Sequence, residues 1–448
     1  MQDIKTYPQY IKELFNLAMP MIMGNLGIIL IGAADVFVAA RYSTNALASI
    51  SIANSIISTI FMFGIGLLVS ISPLLSNFRG ERSNAKKYFL PTINFAMIIS
   101  VFSTLAILVC IPLIDKMGFE SVLIPSIKKY MFICAFSTFG GYLQAALKEY
   151  LQAFEIVLFP NFLNVLGVFL HLFLNFILVF GWFGLPAMGA VGLAYSTLFA
   201  RTMLGLIMLL YCLKFIRIRK YRDLGYFVSL LKIGFPIAMA ILLEFGAFNL
   251  ITIFAGRISG IYAGAQNILL TLTTATFMVP LAISNAIAVK VGFANGARNF
   301  VDMKRYSISG VIVSVAFMSL CALGFIFFPE FLVNIFTTDT ELVKICVPIL
   351  LLAGIFQIFD GLQVSLGGVF KGLKKTNIIM LGDFIAYWII GLPLGLILAY
   401  KYHFELFGFW IGLTMSIFCL GIILLLTLFM QFKKIKEVTT KKRVGSIS

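Results

Sequence analysis

The chain has few charged residues and almost no histidine. Only 12% of its 448 residues are Asp, Glu, Lys or Arg, whereas soluble domains average about 25%. With just two histidines, His171 and His403, a metal site built from several histidines is excluded. Six scattered cysteines form no C-x-x-C pair, so we expect neither a disulfide framework nor a cysteine metal site. An ordinary soluble domain is therefore ruled out.

The sequence also lacks the short motifs that mark common enzymes. It contains no H-E-x-x-H, no G-x-S-x-G and no G-x-x-x-x-G-K-[ST]. We therefore predict that the protein is not an enzyme and needs no cofactor. The N-terminal segment has no short apolar core followed by a small-residue cleavage site, so we expect no signal peptide there.

Long apolar runs dominate what is present. Hydrophobic residues make up 61% of the chain, and the mean hydropathy is +1.03. A membrane-spanning helix needs about 20 mainly apolar residues, and twelve runs qualify: 14–40, 46–76, 90–112, 127–149, 157–181, 187–213, 229–256, 262–290, 306–328, 343–370, 378–400 and 407–431. The sequence thus predicts an all-α integral membrane protein with twelve transmembrane helices. The second and eighth runs are the longest, which predicts tilting or bending.

The positive charges predict how these helices are oriented. When the N-terminus, the even-numbered loops and the C-terminus are assigned to one side, that side collects 26 of the 34 Lys and Arg. The positive-inside rule then places both termini in the cytoplasm, in a multi-pass protein of the inner cell membrane. The net charge of +16 is explained by basic loops and a basic tail that can touch anionic lipid. Nucleic-acid binding is not expected.

The two halves of the chain resemble each other at an offset near 216 residues. Pro20 aligns with Pro236 and Arg82 with Arg298, while LQAALKEYLQAF matches LQVSLGGVFKGL at an offset of 219. Six spans per half is an even number, so both halves insert the same way up.

The repeat predicts two six-helix lobes, at residues 1–220 and 221–448. A parallel repeat of this kind implies a pseudo-twofold axis along the membrane normal and a cavity between the lobes. Lobes that move about a central site are typical of alternating-access transporters, so the architecture favours a transporter over a channel or an enzyme.

Two carboxylates stand within apolar spans, Glu244 in the seventh and Asp360 in the tenth. A charged residue at the centre of a spanning helix costs about 2.5–3.5 kcal/mol on insertion scales, and such residues usually mark ion or substrate pathways. At about 1.5 Å per residue both lie close to the bilayer midplane. They are candidate ligands for Na⁺, partners sharing a proton, or countercharges for a cationic drug. A purely structural hydrogen bond remains the alternative for each.

Other polar residues in the spans are weaker candidates. Asp35 lies near the outer end of the first span, where water can hydrate it, and Asp383 lies so early in the eleventh that a solvated or capping role is favoured. The aromatic residues that follow Asp383, Tyr387 and Trp388, are candidates to line a pocket that stacks flat aromatic drugs. Candidate polar contacts for a cation or substrate on the seventh and eighth spans include Asn249 and Gln266.

Two further side chains are expected to be mainly structural. Arg201 is the only basic residue near the middle of a span, and we expect it to pair with an acidic side chain or with backbone carbonyls. His171, in the fifth span, is expected to be packed and hydrogen-bonded rather than a proton carrier.

Several segments, in this order and spacing, resemble the multidrug and toxic compound extrusion (MATE) family in its NorM-like branch. They are GAADVFVAAR around Asp35, FGIGLLVSISP at 63–73, AISNAIAVKVGFANGAR, DGLQVSLGGVFKG and YWIIGLPLG. The resemblance implies a monomeric antiporter that expels organic, often cationic, drugs in exchange for Na⁺ or H⁺. It also implies that acidic residues in spans one, seven and ten carry the coupling, which here are Asp35, Glu244 and Asp360.

The other major bacterial branch of the family depends on a carboxylate in span five. Span five of this chain has no carboxylate. Its polar side chains are the amides and the imidazole of Asn161, Asn164, His171 and Asn175. That departure argues against a proton relay confined to the first half, and the paired acids of the second half favour Na⁺. A flippase for lipid-linked oligosaccharide or cell-wall precursor, from the same superfamily, is the alternative. It would need a basic central cavity, which the acidic mid-membrane residues disfavour.

Overall fold

The computed structural model describes residues 5–184, 186–216, 221 and 223–444. For Ile28, Ala33, Phe215 and 435–444 it describes the backbone only. The basic residues at 217–220 and 222, and the side chains of the basic tail beyond Lys434, lie outside this description.

Every regular element in the described ranges is helical. The α-helices are α1 (Tyr7–Tyr42), α2 (Thr44–Leu68), α3 (Ile71–Gly80), α4 (Phe89–Cys110), α5 (Ile124–Ala153), α6 (Leu158–Phe180), α7 (Ala190–Phe215), α8 (Leu224–Ile258), α9 (Gly260–Gly296), α10 (Phe300–Phe327), α11 (Pro329–Asn334), α12 (Thr340–Gly372), α13 (Asn377–Asp383), α14 (Leu392–Leu396) and α15 (Glu405–Val444). Twelve helical segments among the described residues are long and apolar enough to cross a membrane, so the predicted number of spans is confirmed.

One of the two longest spans is broken into two helices, and the other contains a proline. Both are 37 residues long, at Thr44–Gly80 and Gly260–Gly296. The first is divided between α2 and α3, and the hydroxyl of Ser70 at the junction donates to the carbonyl of Leu67 at 2.6 Å. The second is the continuous helix α9 with Pro280 inside it. Proline has no N–H to donate within the helix, so Pro280 is a place where this span can bend, and the expected bending stays a prediction.

Helix starts and ends repeat at the offsets that the sequence predicts. Ser43 and Ser259, 216 positions apart, cap the N-termini of α2 and α9 by accepting a backbone N–H on the hydroxyl oxygen. Four of the left-handed residues also form two pairs at these offsets: φ is 57° at Arg82 and 53° at Arg298, and 64° at Glu155 and 58° at Lys374. In all four the next residue donates its N–H to the carbonyl five positions earlier, as at Schellman helix ends. The duplication is therefore present in the backbone itself.

Packing divides the chain into two compact units. The first-half unit comprises Pro20–Leu75 and Asn84–Ala238. The second-half unit comprises Met239–Ser448 together with Met1–Met19 and Ser76–Ser83. A division by packing thus departs from the predicted division at 220/221, which follows the repeat.

Contacts within the second-half unit explain why the start of α1 belongs to it. The hydroxyl of Tyr10 donates to Asp302, and the hydroxyl of Tyr306 donates to Glu13. The Nζ atom of Lys290 lies 3.5 Å from the same Glu13 carboxylate. These polar contacts attach the first turns of α1 to α9 and α10.

Within the first-half unit, α5 and α7 pack with their backbones in close approach. A Cβ placed on Gly140 would lie 2.6 Å from the carbonyl oxygen of Arg201, and one on Gly205 would lie 2.7 Å from the carbonyl oxygen of Gly140. Small residues on facing helices allow this approach in membranes. The contact fixes the part of α7 that carries Arg201.

Candidate functional site

Three carboxylates come together inside the second-half unit. Glu244 lies on α8, Asp360 on α12 and Asp383 at the end of α13. Asp360 and Asp383 are each 4% exposed, and both lie within electrostatic range of Glu244. These three residues are here called the acidic cluster. Glu244 and Asp360 were predicted as site residues, whereas Asp383 was not.

Only part of the hydrogen-bonding capacity of the acidic cluster is used within the protein. The Tyr387 hydroxyl donates to Oε1 of Glu244 at 3.2 Å, and Nε2 of Gln363 donates to Oδ1 of Asp360 at 3.1 Å. Among the described residues, Oδ1 of Asp383 is buried with no hydrogen-bond partner. A carboxylate accepts several hydrogen bonds or ligand bonds. The cluster can therefore still accept a cation or a proton.

The expected solvated or capping role of Asp383 is wrong. The side chain is buried because the helix continues past it as a π-helical segment, Phe384–Gly391, that packs against α15. Pi-helical turns occur frequently at functional sites. The signal in the sequence was Pro393, which cannot donate a hydrogen bond to the preceding turn and so favours irregular helix there.

The π segment directs two successive aromatic residues onto α8. Tyr387, which is 1% exposed, bonds to Glu244, while Nε1 of Trp388 donates to the carbonyl of Leu243 at 3.1 Å. The predicted aromatic pair thus lies beside the acidic cluster. Its part in binding substrate stays a prediction.

A lysine near the acidic cluster was missed. Lys371, close to the C-terminal end of α12, lies within electrostatic range of Glu244 and Asp383. The signal was its spacing: positions 360 and 371 differ by eleven, about three helical turns, so both side chains share one face of α12.

The two predicted amide contacts, Asn249 and Gln266, are directed elsewhere. The amide of Asn249 donates to the carbonyl of Phe245 on its own helix at 2.9 Å. Gln266 is fully buried, and its side-chain oxygen accepts from Nε1 of Trp410 at 2.8 Å. Their role in substrate binding stays a prediction.

Asp35 belongs to a separate polar group in the first-half unit. Its Oδ1 atom lies 2.7 Å from Nε2 of His171 and accepts from Nδ2 of Asn175 at 2.9 Å. Asp35 is 9% exposed and His171 3%, so the carboxylate is largely buried against α6 rather than exposed at the end of a span. The hydrogen-bonded state expected for His171 is confirmed, and its partner is the acid of span one. The signal was the i, i+4 spacing of His171 and Asn175, which places both on one helix face.

A cavity of about 420 Å³ lies within the first-half unit. Its lining includes Asp35, Asn54, Tyr130, His171 and Arg201. Drug-sized ligands occupy pockets of about 300–1,000 Å³. We call it the arginine cavity, because Arg201 is its most unusual wall residue.

The pairing expected for Arg201 is wrong. Its Nη1 atom donates to the hydroxyl of Ser137 at 3.2 Å, and its guanidinium carbon lies 4.2 Å from the ring centroid of Phe61. Among the described side chains, no carboxylate lies within ion-pair distance of it. The reason is that Arg201 faces the cavity, and the carboxylates that line the same cavity, Asp35 and Glu149, lie beyond ion-pair distance of it.

Within the described part of the chain, no group of three or more His, Cys, Asp and Glu is arranged to hold a metal ion. A transported Na⁺ at Glu244 and Asp360 would therefore need further ligands of another kind, such as amide, hydroxyl or carbonyl oxygens.

Comparison with known proteins supports the internal repeat and identifies the family. The MatE family model matches the chain twice, over residues 20–177 and 236–397. The matches begin at Pro20 and Pro236, at the offset of 216 found in the sequence. Together they cover well over half of the chain.

Relatives of similar length carry NorM names. The chain is 28% identical over 434 residues to the probable multidrug resistance protein NorM of Mesorhizobium japonicum, covering 93% of each chain. It is 27% identical over 436 residues to the multidrug resistance protein NorM of Photobacterium profundum, covering 94% of this chain and 96% of that protein.

Solved structures share the fold. The eukaryotic MATE transporter AtDTX14 matches with a TM-score of 0.83 and 20% identity, over 96% of this chain and 99% of that one. A MOP superfamily transporter from Pyrococcus furiosus matches with a TM-score of 0.87 and 18% identity, over 95% and 97%. The family expected from the sequence is thus confirmed, and this chain belongs to the MATE family of membrane transporters, in its NorM-like branch.

Proposed function

We propose that this protein exports organic cations of several kinds from the cell in exchange for Na⁺ or H⁺, by alternating access of two lobes. The observation that carries the proposal is the acidic cluster, with Asp360 and Asp383 buried and Glu244 half-buried, inside a twelve-span transporter fold. The relatives named as multidrug resistance proteins support the substrate class. Membership in a transporter family also agrees with the predicted absence of enzyme activity.

The acidic cluster supplies a reason for exchange. With all three carboxylates ionised, the acidic cluster and the ammonium of Lys371 carry a formal net charge of −2, and two of the carboxylates, Asp360 and Asp383, are buried. Close like charges in a poorly solvated site favour the uptake of a cation or a proton. An organic cation and an inorganic one then compete for the same carboxylates, so the arrival of one favours the release of the other.

Aromatic side chains beside the acidic cluster fit an organic cation. Tyr387 and Trp388 lie at Glu244 and Leu243, and rings beside a cationic ligand attract it through their negative faces. We propose that Glu244 and Asp360 serve both ions in turn, that Tyr387 and Trp388 contact only the organic one, and that Asn249 and Gln266 complete the shell after rearrangement.

Na⁺ is the proposed coupling ion, with H⁺ as the alternative. Paired carboxylate oxygens suit a hard monovalent cation, and the amide of Gln363 and the hydroxyl of Tyr387 are already present next to them. Both termini are proposed to lie in the cytoplasm at the inner cell membrane, since 26 of the 34 Lys and Arg fall on that side. The protein is proposed to act as a monomer of two lobes, 1–220 and 221–448.

The flippase alternative requires a basic central cavity for a pyrophosphate group. The acidic cluster carries the opposite charge, so this function is disfavoured.

Transport driven by an ion gradient tests the proposal. Proteoliposomes whose membrane contains the protein should transport ethidium across that membrane when a Na⁺ or H⁺ gradient is imposed, without ATP. Ionophores that collapse both gradients should stop the movement, and comparison of the two gradients identifies the ion. Movement that requires ATP while both gradients are collapsed would rule out antiport.

A second prediction concerns Asp35. If its charge takes part in coupling, Asp35→Asn should lower the initial rate of ethidium movement about tenfold, because the amide removes the negative charge while keeping the side chain's size. His171→Gln retains an N–H donor toward Asp35 and should lower the rate much less. Rates are measured in proteoliposomes at equal protein density. An unchanged rate in Asp35→Asn would remove Asp35 from the coupling residues.

A further inference from the structure

A groove of about 270 Å³ lies where the starts of three spanning helices of the second-half unit meet. Tyr262 on α9, Lys344 on α12 and Glu405 on α15 line it, so we call it the Lys344 groove. It shares no lining residue with the acidic cluster or the arginine cavity. All three helices follow loops predicted to lie on the membrane side opposite the termini, so the groove belongs to that membrane surface.

Two opposite charges line the Lys344 groove without pairing. Lys344 and Glu405 are both exposed, and in the described part of the chain no carboxylate lies within ion-pair distance of the Lys344 ammonium. Opposite charges that stay apart across a groove can each bind one end of a ligand that carries both charges. The charge pattern of the groove therefore matches a zwitterion.

The carboxylate of Glu405 is held in place before any ligand arrives. The hydroxyl of Tyr262 donates to its Oε2 atom, which leaves Oε1 for a ligand. The loop before α15 is also fixed, because the N–H of Phe404 donates to the carbonyl of Leu398 at 3.0 Å. In this loop φ is 57° at His403 and 49° at Glu405, a conformation that residues other than glycine keep only where their surroundings impose it. A group positioned in this way loses little freedom on binding.

The rest of the Lys344 groove is apolar. Its floor includes Ile349 and Leu406, which are buried, and its rim includes Phe404 and Phe407, which are exposed. Aromatic side chains are typical of the boundary between water and the bilayer, where the headgroups of lipids lie. A ligand in this groove would therefore meet charge and hydrocarbon together.

One exposed face of α12 continues the groove along the span. Its residues have the spacing i, i+4, i+7 and i+11 and are Lys344, Pro348, Leu351 and Ile355. The face thus begins with a positive charge at the membrane surface and continues with apolar side chains toward the membrane interior. A phospholipid has the same order, with a charged headgroup followed by an acyl chain.

We propose that the Lys344 groove binds the headgroup of a phosphatidylethanolamine lipid. Lys344 donates to the phosphate, the lipid ammonium donates to Glu405, and one acyl chain lies along Pro348, Leu351 and Ile355. The volume of about 270 Å³ is below the range of about 300–1,000 Å³ for drug pockets, which favours a headgroup over an exported drug. Phosphatidylcholine has no N–H to donate to Glu405, and phosphatidylglycerol has no cation for it. The site goes beyond the proposed export function and does not depend on it.

Competition among three lipids with identical acyl chains tests the assignment. The full chain is stripped of lipid in detergent and given equimolar phosphatidylethanolamine, phosphatidylcholine and phosphatidylglycerol, and native mass spectrometry measures the protein carrying one molecule of each. Phosphatidylethanolamine should exceed each of the others about threefold, the size of effect that an exposed ion pair gives. Equal amounts of the three lipids would overturn the proposal, and this comparison needs no variant.

Variants then locate the site. Glu405→Gln should reduce bound phosphatidylethanolamine to the level of phosphatidylcholine, and Lys344→Gln should also reduce it, since the phosphate loses its partner. Lys401→Gln and Glu341→Gln are the matched controls, because both residues are exposed near the same membrane surface and line no part of the groove. An excess of phosphatidylethanolamine that survives in both Glu405→Gln and Lys344→Gln would overturn the assignment.

The headgroup alone shows whether the ligand is a lipid. O-phosphorylethanolamine carries the same two charges without acyl chains, so at the concentration of the lipid it should leave bound phosphatidylethanolamine unchanged. Displacement of the lipid at equal concentration would make the groove a site for a soluble zwitterion and would contradict the lipid assignment. No ion gradient is used in these measurements, so they stand whether or not the protein exports ethidium.

Discussion

Glu244→Gln and Asp360→Asn should each abolish ethidium movement in proteoliposomes while the protein still inserts and folds. Each substitution preserves the shape of the side chain and removes one negative charge from the acidic cluster. The amide can still accept from Tyr387 or Gln363, which bond to these two residues. What is lost is the anionic oxygen that a Na⁺, a proton or an organic cation requires.

The burial of two of the three carboxylates explains why the expected loss is large. Asp360 and Asp383 are each only 4% exposed, so bulk water cannot replace a missing ligand. Both coupling ion and substrate depend on the same oxygens in the proposed exchange. Removal of one carboxylate therefore removes the competition between the ions as well as part of the affinity.

Glu330→Gln is the matched control for these variants. Glu330 lies in the first turn of α11 and is exposed, so the same chemical change there should leave the rate unaltered. Folding is checked by the elution of each variant from a sizing column and by its apparent melting temperature. Full transport by both Glu244→Gln and Asp360→Asn would contradict the assignment of the coupling site.

Asp383→Asn adds a test that the sequence alone did not motivate. A hydrated or capping aspartate would tolerate the change, whereas a member of the acidic cluster should not. The buried position of Asp383 and its electrostatic interaction with Glu244 predict a clear loss of transport.

The large features of the fold could be predicted because they depend on composition and period. Twelve apolar runs gave the spans, and weak similarity at an offset of 216 gave the repeat, which recurs in the paired left-handed residues Arg82 and Arg298. Glu244 and Asp360 were identifiable because a carboxylate in an apolar span is energetically costly wherever it points.

The details of the sites could not be predicted because they depend on which helix face meets which neighbour. The sequence shows that His171 and Asn175 share a face of α6, but not that this face meets Asp35. Asp383 is buried at the start of a π-helical segment, and that segment packs against α15, which the sequence does not show. Arg201 was expected to pair with an acidic side chain or with backbone carbonyls, and only the tertiary structure reveals the cavity in front of it.

The close approach of α5 and α7 leads to the prediction with the largest expected effect on stability. In Gly140→Ala, the added methyl group would lie 2.6 Å from the carbonyl carbon and oxygen of Arg201 and from Cα of Thr202. These are backbone atoms, so no change of rotamer relieves the clash and the two helices must move apart. Gly205 approaches the backbone of Gly140 from the other helix, so moving the helices apart would also lose this close contact.

Overpacking of this kind costs about 1–3 kcal/mol or more, and we expect the apparent melting temperature of Gly140→Ala to fall by at least about 3 °C. Gly324→Ala is the matched control: Gly324 lies inside α10, and a Cβ there meets nothing within 4 Å. Because alanine has the better helix propensity by about 1 kcal/mol, that variant should melt at the same temperature or higher. Equal melting temperatures for the two variants, measured at one heating rate in one detergent, would show that α5 and α7 do not pack through Gly140.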